Sequence, residues 1–280
     1  MKKQKVIVIL GQTATGKSDL AVKIALKVKG EVISADSRQI YKGLNIGTGK
    51  ISKKEMRGIP HHLIDVVSPK YKFTVAEYKK LAEEKIKEIL ARGYTPIICG
   101  GTGFYIDAIT KGIIFPEVPP NNKLRKELTR KSAIVLFLVL KKLDPERAKN
   151  IDPQNKVRLI RAIEIAKALG KTPKITEVKP PYKFIKIGLY LPTDKLKQKI
   201  EKRVEKMFED GLLNEIKKLK KSGISEKRLK EFGFEYFNPT KERVITETIK
   251  YAKHQMTWFK RDKKIIWFDA SKKINLEKLI

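Results

Sequence analysis

The feature that most restricts how this chain can fold is the run Gly11-Gln12-Thr13-Ala14-Thr15-Gly16-Lys17-Ser18, which matches G-x-x-x-x-G-K-[ST]. It follows a short β-branched run, Val6 to Leu10, and opens a segment, Lys17 to Val28, in which Leu20, Ala21, Ile24, Ala25 and Val28 recur at helical spacing. A strand that enters a glycine-rich turn and leaves as a helix is the unit from which parallel sheets are built. Gly11 and Gly16 let the backbone turn successive N–H groups toward one point, and the helix that follows adds the positive end of its dipole. Such a cradle takes phosphate oxygens. Lys17 supplies a mobile point charge for the distal ones, and the Ser18 hydroxyl stands where a bridging Mg2+ finds a ligand.

Further strand-like runs at Val32 to Ser34, Leu63 to Val67 and Pro96 to Cys99, with a helical segment from about Val75 to Ala91 between the last two, continue the alternation. The expected fold class is therefore α/β: a P-loop NTPase-like parallel sheet core flanked by helices, with a mainly helical insertion. Pro116, Pro119 and Pro120 punctuate the start of that insertion, and Lys179, Pro180 and Pro181 its end. The expected division is residues 1–115 as the first part of the core, 116–182 as the insertion, and 183–280 as the remainder. In that last part, Phe184 to Leu191 and Ile265 to Phe268 are predicted strands, while Leu196 to Leu219 and Thr246 to Lys260 are predicted amphipathic helices.

Charge narrows the partners. With 63 Lys and Arg against 31 Asp and Glu, the formal net charge of +32 favours polyanions, whose binding would weaken steeply with salt. A lysine-rich surface is also a habit of heat-adapted proteins, so charge alone does not name nucleic acid. The single cysteine, Cys99, rules out an internal disulfide and a cysteine-based zinc site. No run reaches the roughly 18 uninterrupted apolar residues of a membrane span, and the basic start MKKQKVIVILG runs straight into the cradle without a small-residue cleavage site. A cytoplasmic protein is expected.

Two more loops belong to the same rim of the sheet. Asp36-Ser37-Arg38-Gln39 follows directly on the predicted strand Val32 to Ser34, which is expected to lie beside the first, so that a carboxylate arrives at the carboxyl ends of the strands, where ligands of open α/β sheets bind. Asp36 could act there as a general base or simply cap the next helix. Gly100-Gly101-Thr102-Gly103 follows the predicted strand Pro96 to Cys99 and lets backbone approach a ligand closely. The cradle does not reveal which phosphate ester it holds. No hydrophobic strand ends in a clear metal-binding Asp, and no Asn-Lys-x-Asp guanine signature is present. A P-loop small-molecule kinase and a non-catalytic basic RNA-binding module both stand open at this point.

In order along the chain, GQTATGKS, DSRQIYKGLNIGTGK, PHHLIDVVSP, GGTGFYIDA, DPERAKNIDPQNKVRLIRAIEI, IEKRVEKMFEDGLLNEI and AKHQMTWFKRD resemble the tRNA dimethylallyltransferase (tRNA isopentenyltransferase) family over nearly the whole chain. The resemblance implies transfer of a dimethylallyl group from its diphosphate to N6 of the adenosine just 3′ of the anticodon. The implied partners are dimethylallyl diphosphate and a tRNA anticodon stem-loop, with Mg2+ as cofactor and the protein as a monomer. It implies that Gly11 to Ser18 hold the diphosphate, that Arg203 clamps it, and that Asp36 is the base, with Ser18 and Arg203 also in the catalytic set. Asp36, Ser37, Arg38, Gln39 and Thr102 match positions around the flipped base, and Arg158 and Arg161 match a tRNA-contacting segment. His61 and His62 lie in a family motif and read as structural. The insertion is short, His254 stands where Arg is commoner, and Gly233-Phe234-Glu235-Tyr236-Phe237 follows the family's Gly-Tyr motif only loosely; these departures bear on tRNA grip more than on the reaction.

Overall fold

A computed structural model describes residues 3–174 and 176–275, so the outermost residues of the predicted first and last segments lie outside it. The chain forms two compact units: residues 1–112 with 179–280, and residues 113–178. The larger unit begins with β1 (Lys5–Gly11), α1 (Lys17–Val28), β2 (Gly30–Ser34), α2 (Lys53–Met56), β3 (His61–His62), α3 (Val75–Ala91), β4 (Thr95–Cys99) and α4 (Gly103–Thr110). The smaller unit contains β5 (Ile113–Ile114), α5 (Asn122–Thr129), α6 (Ala133–Leu143), α7 (Pro145–Lys149), α8 (Lys156–Leu169) and β6 (Thr176–Glu177). The larger unit resumes with β7 (Lys183–Tyr190), α9 (Thr193–Glu209), α10 (Leu212–Lys221), α11 (Glu226–Phe232), α12 (Lys241–Phe259) and β8 (Ile266–Asp269).

The expected α/β core is present: six strands in the order β3-β2-β4-β1-β7-β8, parallel throughout. A parallel sheet is covered on both faces, which is why its central strands are continuous apolar runs. In β1, Val6, Val8 and Leu10 pack into one buried cluster with residues of α3, α4 and α10 to α12, while Ile7 and Ile9 pack with Leu20, Ala21 and Ile24 of α1 in another. Since β1 lies between β4 and β7, the cradle that follows it leaves the middle of the sheet beside the loops after β2 and β4.

Two predicted elements differ. Leu63 to Val67 is not a strand: Leu63 (φ 59) and Asp65 (φ 56) turn the chain through the left-handed region, and only Val67 forms an isolated bridge, with Tyr41. The parallel strand lies just upstream at His61–His62, where Val32 and Ile33 pair with it. The single long helix predicted over Leu196 to Leu219 is two helices, because Gly211 (φ 97) ends α9 and starts α10.

The smaller unit has its own core, Leu128, Leu136, Leu140, Ile151, Leu159 and Ile163, and a short antiparallel ribbon of β5 with β6. Among the described residues no helix is long and apolar enough to cross a membrane.

Candidate active site

The cradle is tied down by its own backbone and by two distant helices. Gln12 is buried, and its carbonyl accepts hydrogen bonds from the Thr15 hydroxyl (2.7 Å) and the Lys17 ammonium (2.6 Å). Gln255 of α12, also buried, accepts from the Thr13 N–H (2.8 Å) and donates to the Gly101 carbonyl (2.9 Å). One side chain therefore locks the cradle to the loop after β4. Arg203 of α9 donates to the Thr13 hydroxyl (3.0 Å) and to the Thr48 carbonyl (3.2 Å), which brings a guanidinium to the edge of the cradle. Ser18, in the first turn of α1, remains exposed.

Asp36 follows β2, which does not lie beside β1 as expected but two strands away, because β4 inserts between them and pairs with both. One of its oxygens, Oδ1, accepts from the Arg38 N–H (2.8 Å) and the Gln39 N–H (3.3 Å), an Asx turn that fixes the carboxylate. Its other oxygen takes no hydrogen bond from the described residues and is available to a substrate. The Ser37 N–H donates to the Thr102 hydroxyl at 3.0 Å, and that hydroxyl lies 3.4 Å from Ser37 Oγ. The loops after β2 and β4 are thus pinned together, and Gln39 reaches the Thr48 and Gly49 carbonyls, each at 3.4 Å.

The charges feel one another. Burial pushes the Lys17 ammonium down to about 8; Arg203 acts in the same direction, while Asp36 opposes it. Burial also lowers Arg203, against the attraction of Glu235 and Asp36. The Glu235 carboxyl is pushed up to about 7 by burial, against its own backbone N–H, Arg203 and Arg38. Burial raises the Cys99 thiol to about 12, leaving a neutral group beneath the cradle. A site with this excess of cationic groups, partly shielded from water, favours a bound polyanion.

The sequence-predicted residues Gly11 to Ser18, Asp36 to Gln39, Thr102 and Arg203 all belong to the larger unit, where the contacts above join them. Arg158 and Arg161 belong to the smaller one. Arg158 is exposed on α8, but Arg161 pairs with Glu164 and donates to the Val118 carbonyl (2.9 Å). Glu164 is also held by Arg125 (2.7 Å) and by the Asn121 N–H (2.6 Å), so Arg161 contributes to the unit's own fold. His62 Nε2 lies 2.7 Å from Glu31, itself paired with Arg92, and His61 Nδ1 lies 2.8 Å from the Ile59 carbonyl. Both histidines therefore have structural partners. Among the described residues no group of three His, Cys, Asp or Glu side chains is gathered to cage a metal.

Residues 39–262 match the model of the IPP transferase family. This chain belongs to that family. The tRNA dimethylallyltransferase of Halothermothrix orenii is 40% identical to it over 286 residues, covering 95% of this chain and 87% of the relative. That of Bacillus subtilis is 37% identical, covering 98% and 94%. Among solved structures, the full-length tRNA isopentenylpyrophosphate transferase from Bacillus halodurans superposes with a TM-score of 0.70 at 36% identity, over 99% of this chain and 93% of that one. A eukaryotic dimethylallyltransferase acting on tRNA superposes with a TM-score of 0.81 at 31% identity, over 95% and 74%.

In this IPP transferase several site residues carried no signal of their own. Gln255 is one amide in a basic helix, and its two partners lie 242 and 154 residues away. Glu235 and Tyr251 are drawn into the field of Asp36 and Arg38 only by folding. The segment Asn45 to Gly49 had a visible clue, two glycines before Lys50 in NIGTGK, which marks a tight loop without saying what presses on it.

Proposed function

We propose that this IPP transferase moves a dimethylallyl group from dimethylallyl diphosphate to N6 of the adenosine 3′-adjacent to the anticodon in tRNA, releasing diphosphate, and that it works in the cytoplasm. The observation that carries this is the joining of a cationic cradle, with Lys17 and Arg203, to a fixed carboxylate, Asp36, at one rim of one sheet. The activity named for the relatives and the net charge of +32 point the same way. A kinase of a small metabolite would gain little from that charge, and a binding module would need no cradle.

An adenine N6 amine is a poor nucleophile because its lone pair is delocalised into the ring. As N6 bonds to the allylic carbon, the carbon–oxygen bond to the diphosphate breaks, and the N6 proton passes to the free oxygen of Asp36. Negative charge grows on the departing diphosphate, which the remaining cradle N–H groups, Lys17 and Arg203 would stabilise. Ser37, Arg38, Gln39 and Thr102 surround the carboxylate with polar groups that can read the edge of a base taken out of its stack. Mg2+ fits the donors: the exposed Ser18 hydroxyl offers one oxygen, which suits an ion that otherwise keeps water and substrate oxygens. When bound, it would neutralise part of the diphosphate charge. Arg158 and the other exposed cations of the smaller unit would contact the stem-loop phosphates.

The test is a transfer assay with Mg2+, dimethylallyl diphosphate and an anticodon stem-loop, read as a mass gain on the RNA. Prenylated RNA formed without ATP supports the proposal. An unmodified stem-loop, together with ATP consumption on a small acceptor, would assign the cradle to a kinase.

A further inference from the structure

Glu215 sits on α10 with its carboxylate buried. Its Oε2 accepts from the N–H groups of Asn45 (3.0 Å) and Ile46 (2.8 Å), and its Oε1 from the Gly47 N–H (3.2 Å) and the Tyr236 hydroxyl (2.9 Å). Three consecutive backbone donors converging on one point form a concavity suited to an anion, and here a side chain of the protein fills it. The loop is also wedged. A Cβ at Gly47 would stand 2.6 Å from the Tyr236 ring, and one at Gly49 would stand 2.3 Å from Arg203 Nη2. Between these two glycines, the Thr48 carbonyl accepts from Arg203 Nη2 at 3.2 Å, while Arg203 Nη1 reaches the cradle at the Thr13 hydroxyl.

We propose that Glu215 is a positioning residue for diphosphate binding: by clamping the backbone of Asn45 to Gly47 it sets the Thr48 carbonyl and Gly49 against Arg203, and so fixes the guanidinium at the cradle. The inference rests on the proposed role of Arg203 as a diphosphate ligand. A long arginine side chain loses rotamer freedom when it binds, so a backbone carbonyl that already holds one of its nitrogens, while the other rests on the Thr13 hydroxyl, reduces the ordering left for the ligand to impose. Glu215 touches neither substrate; its effect passes through the loop. Glu215→Gln keeps the size but turns an amide group toward backbone donors that need an acceptor, which loosens the clamp.

Inorganic pyrophosphate binding by calorimetry and dimethylallyl transfer kinetics would be measured for the wild type, Glu215→Gln, Arg203→Ala and the double variant, with near-ultraviolet circular dichroism to confirm folding. Glu215→Gln should weaken pyrophosphate binding and raise the KM for dimethylallyl diphosphate roughly three- to tenfold, with a smaller rise in the KM for the stem-loop, since Gln39 bonds the same loop. In the Arg203→Ala background it should add almost nothing, because the group it positions is gone. Tyr236→Phe, which removes one of the four hydrogen bonds, should move the same constants in the same direction by less. Equal losses for both substrates, or effects that multiply in the double variant, would make Glu215 an ordinary stabilising residue and overturn the inference. Pyrophosphate binding unchanged in Arg203→Ala would instead remove the role of Arg203 itself, and the clamp with it. A loss in Arg203→Ala with none in a folded Glu215→Gln would remove the clamp alone.

Discussion

The depressed Lys17 ammonium makes diphosphate affinity depend on pH in a way that can be worked out in advance. Burial, with Arg203 nearby, brings its pKa to about 8 in the protein without substrate. A bound diphosphate restores the charged form, so binding above that pH must first take up a proton. With the neutral amine contributing nothing, the charged fraction is about three-quarters at pH 7.5 and about one-thirtieth at pH 9.5, so affinity should fall roughly 25-fold between them. The last ionisation of a phosphate ester lies near pH 6, so the ligand's own charge is constant across this window. Starting at pH 7.5 also leaves Glu235, pushed up to about 7, mostly ionised throughout. The assay is calorimetric titration with dimethylallyl diphosphate at half-unit steps of pH, for the wild type and Lys17→Arg. Because a guanidinium stays charged over this range, the variant should bind with a flat profile, whatever its absolute affinity. A flat wild-type profile, or the same slope in Lys17→Arg, would refute the assignment to Lys17.

Gly101→Ala would place a methyl 2.2 Å from Gln255 Nε2 and spoil the bridge between the cradle and the loop after β4. Overpacking of this kind costs about 1–3 kcal/mol; the melting temperature should fall, and diphosphate KM should rise more than stem-loop KM. In the smaller unit, burial works to raise the Glu164 carboxyl, but Arg125, the Asn121 N–H and Arg161 outweigh it and hold it below the usual carboxylate range. Its contribution to stability is therefore complete above the unfolded pKa and lost as pH falls through the lower folded value. Glu164→Gln should destabilise that unit and flatten the acid limb of its unfolding, followed by hydrogen exchange in residues 113–174.

How much of this was legible in the sequence depended on the distance over which information had to travel. The cradle is local, with its glycines, lysine and serine inside eight residues and its flanking strand and helix announced by periodicity. Asp36 was legible for a related reason: a carboxylate placed immediately after a parallel strand must reach the ligand-binding edge. Leu63 to Val67 misled because an apolar run with two valines fits a strand, whereas Leu63 and Asp65 take positive φ and the segment's N–H groups bond to the Gln39 and Ile40 carbonyls instead of extending a strand. The break at Gly211 was hidden by the amphipathic pattern, which continues through both α9 and α10. Arg161 was read only through its match to a tRNA-contacting segment, and its bonds to Glu164 and the Val118 carbonyl come to light only on folding. Gln255 and Glu215 act on partners more than 150 residues away, a relation that no local pattern encodes.

The central claim is that Asp36 takes the N6 proton while the cradle holds the leaving group. It is tested most directly by single-turnover transfer with Asp36→Asn, both substrates saturating and stem-loop binding measured in parallel. General-base catalysis contributes typically about 10²- to 10⁴-fold, so the variant should bind the stem-loop as the wild type does and transfer at least about 100-fold more slowly. Transfer at the wild-type rate by a folded Asp36→Asn protein would contradict the account.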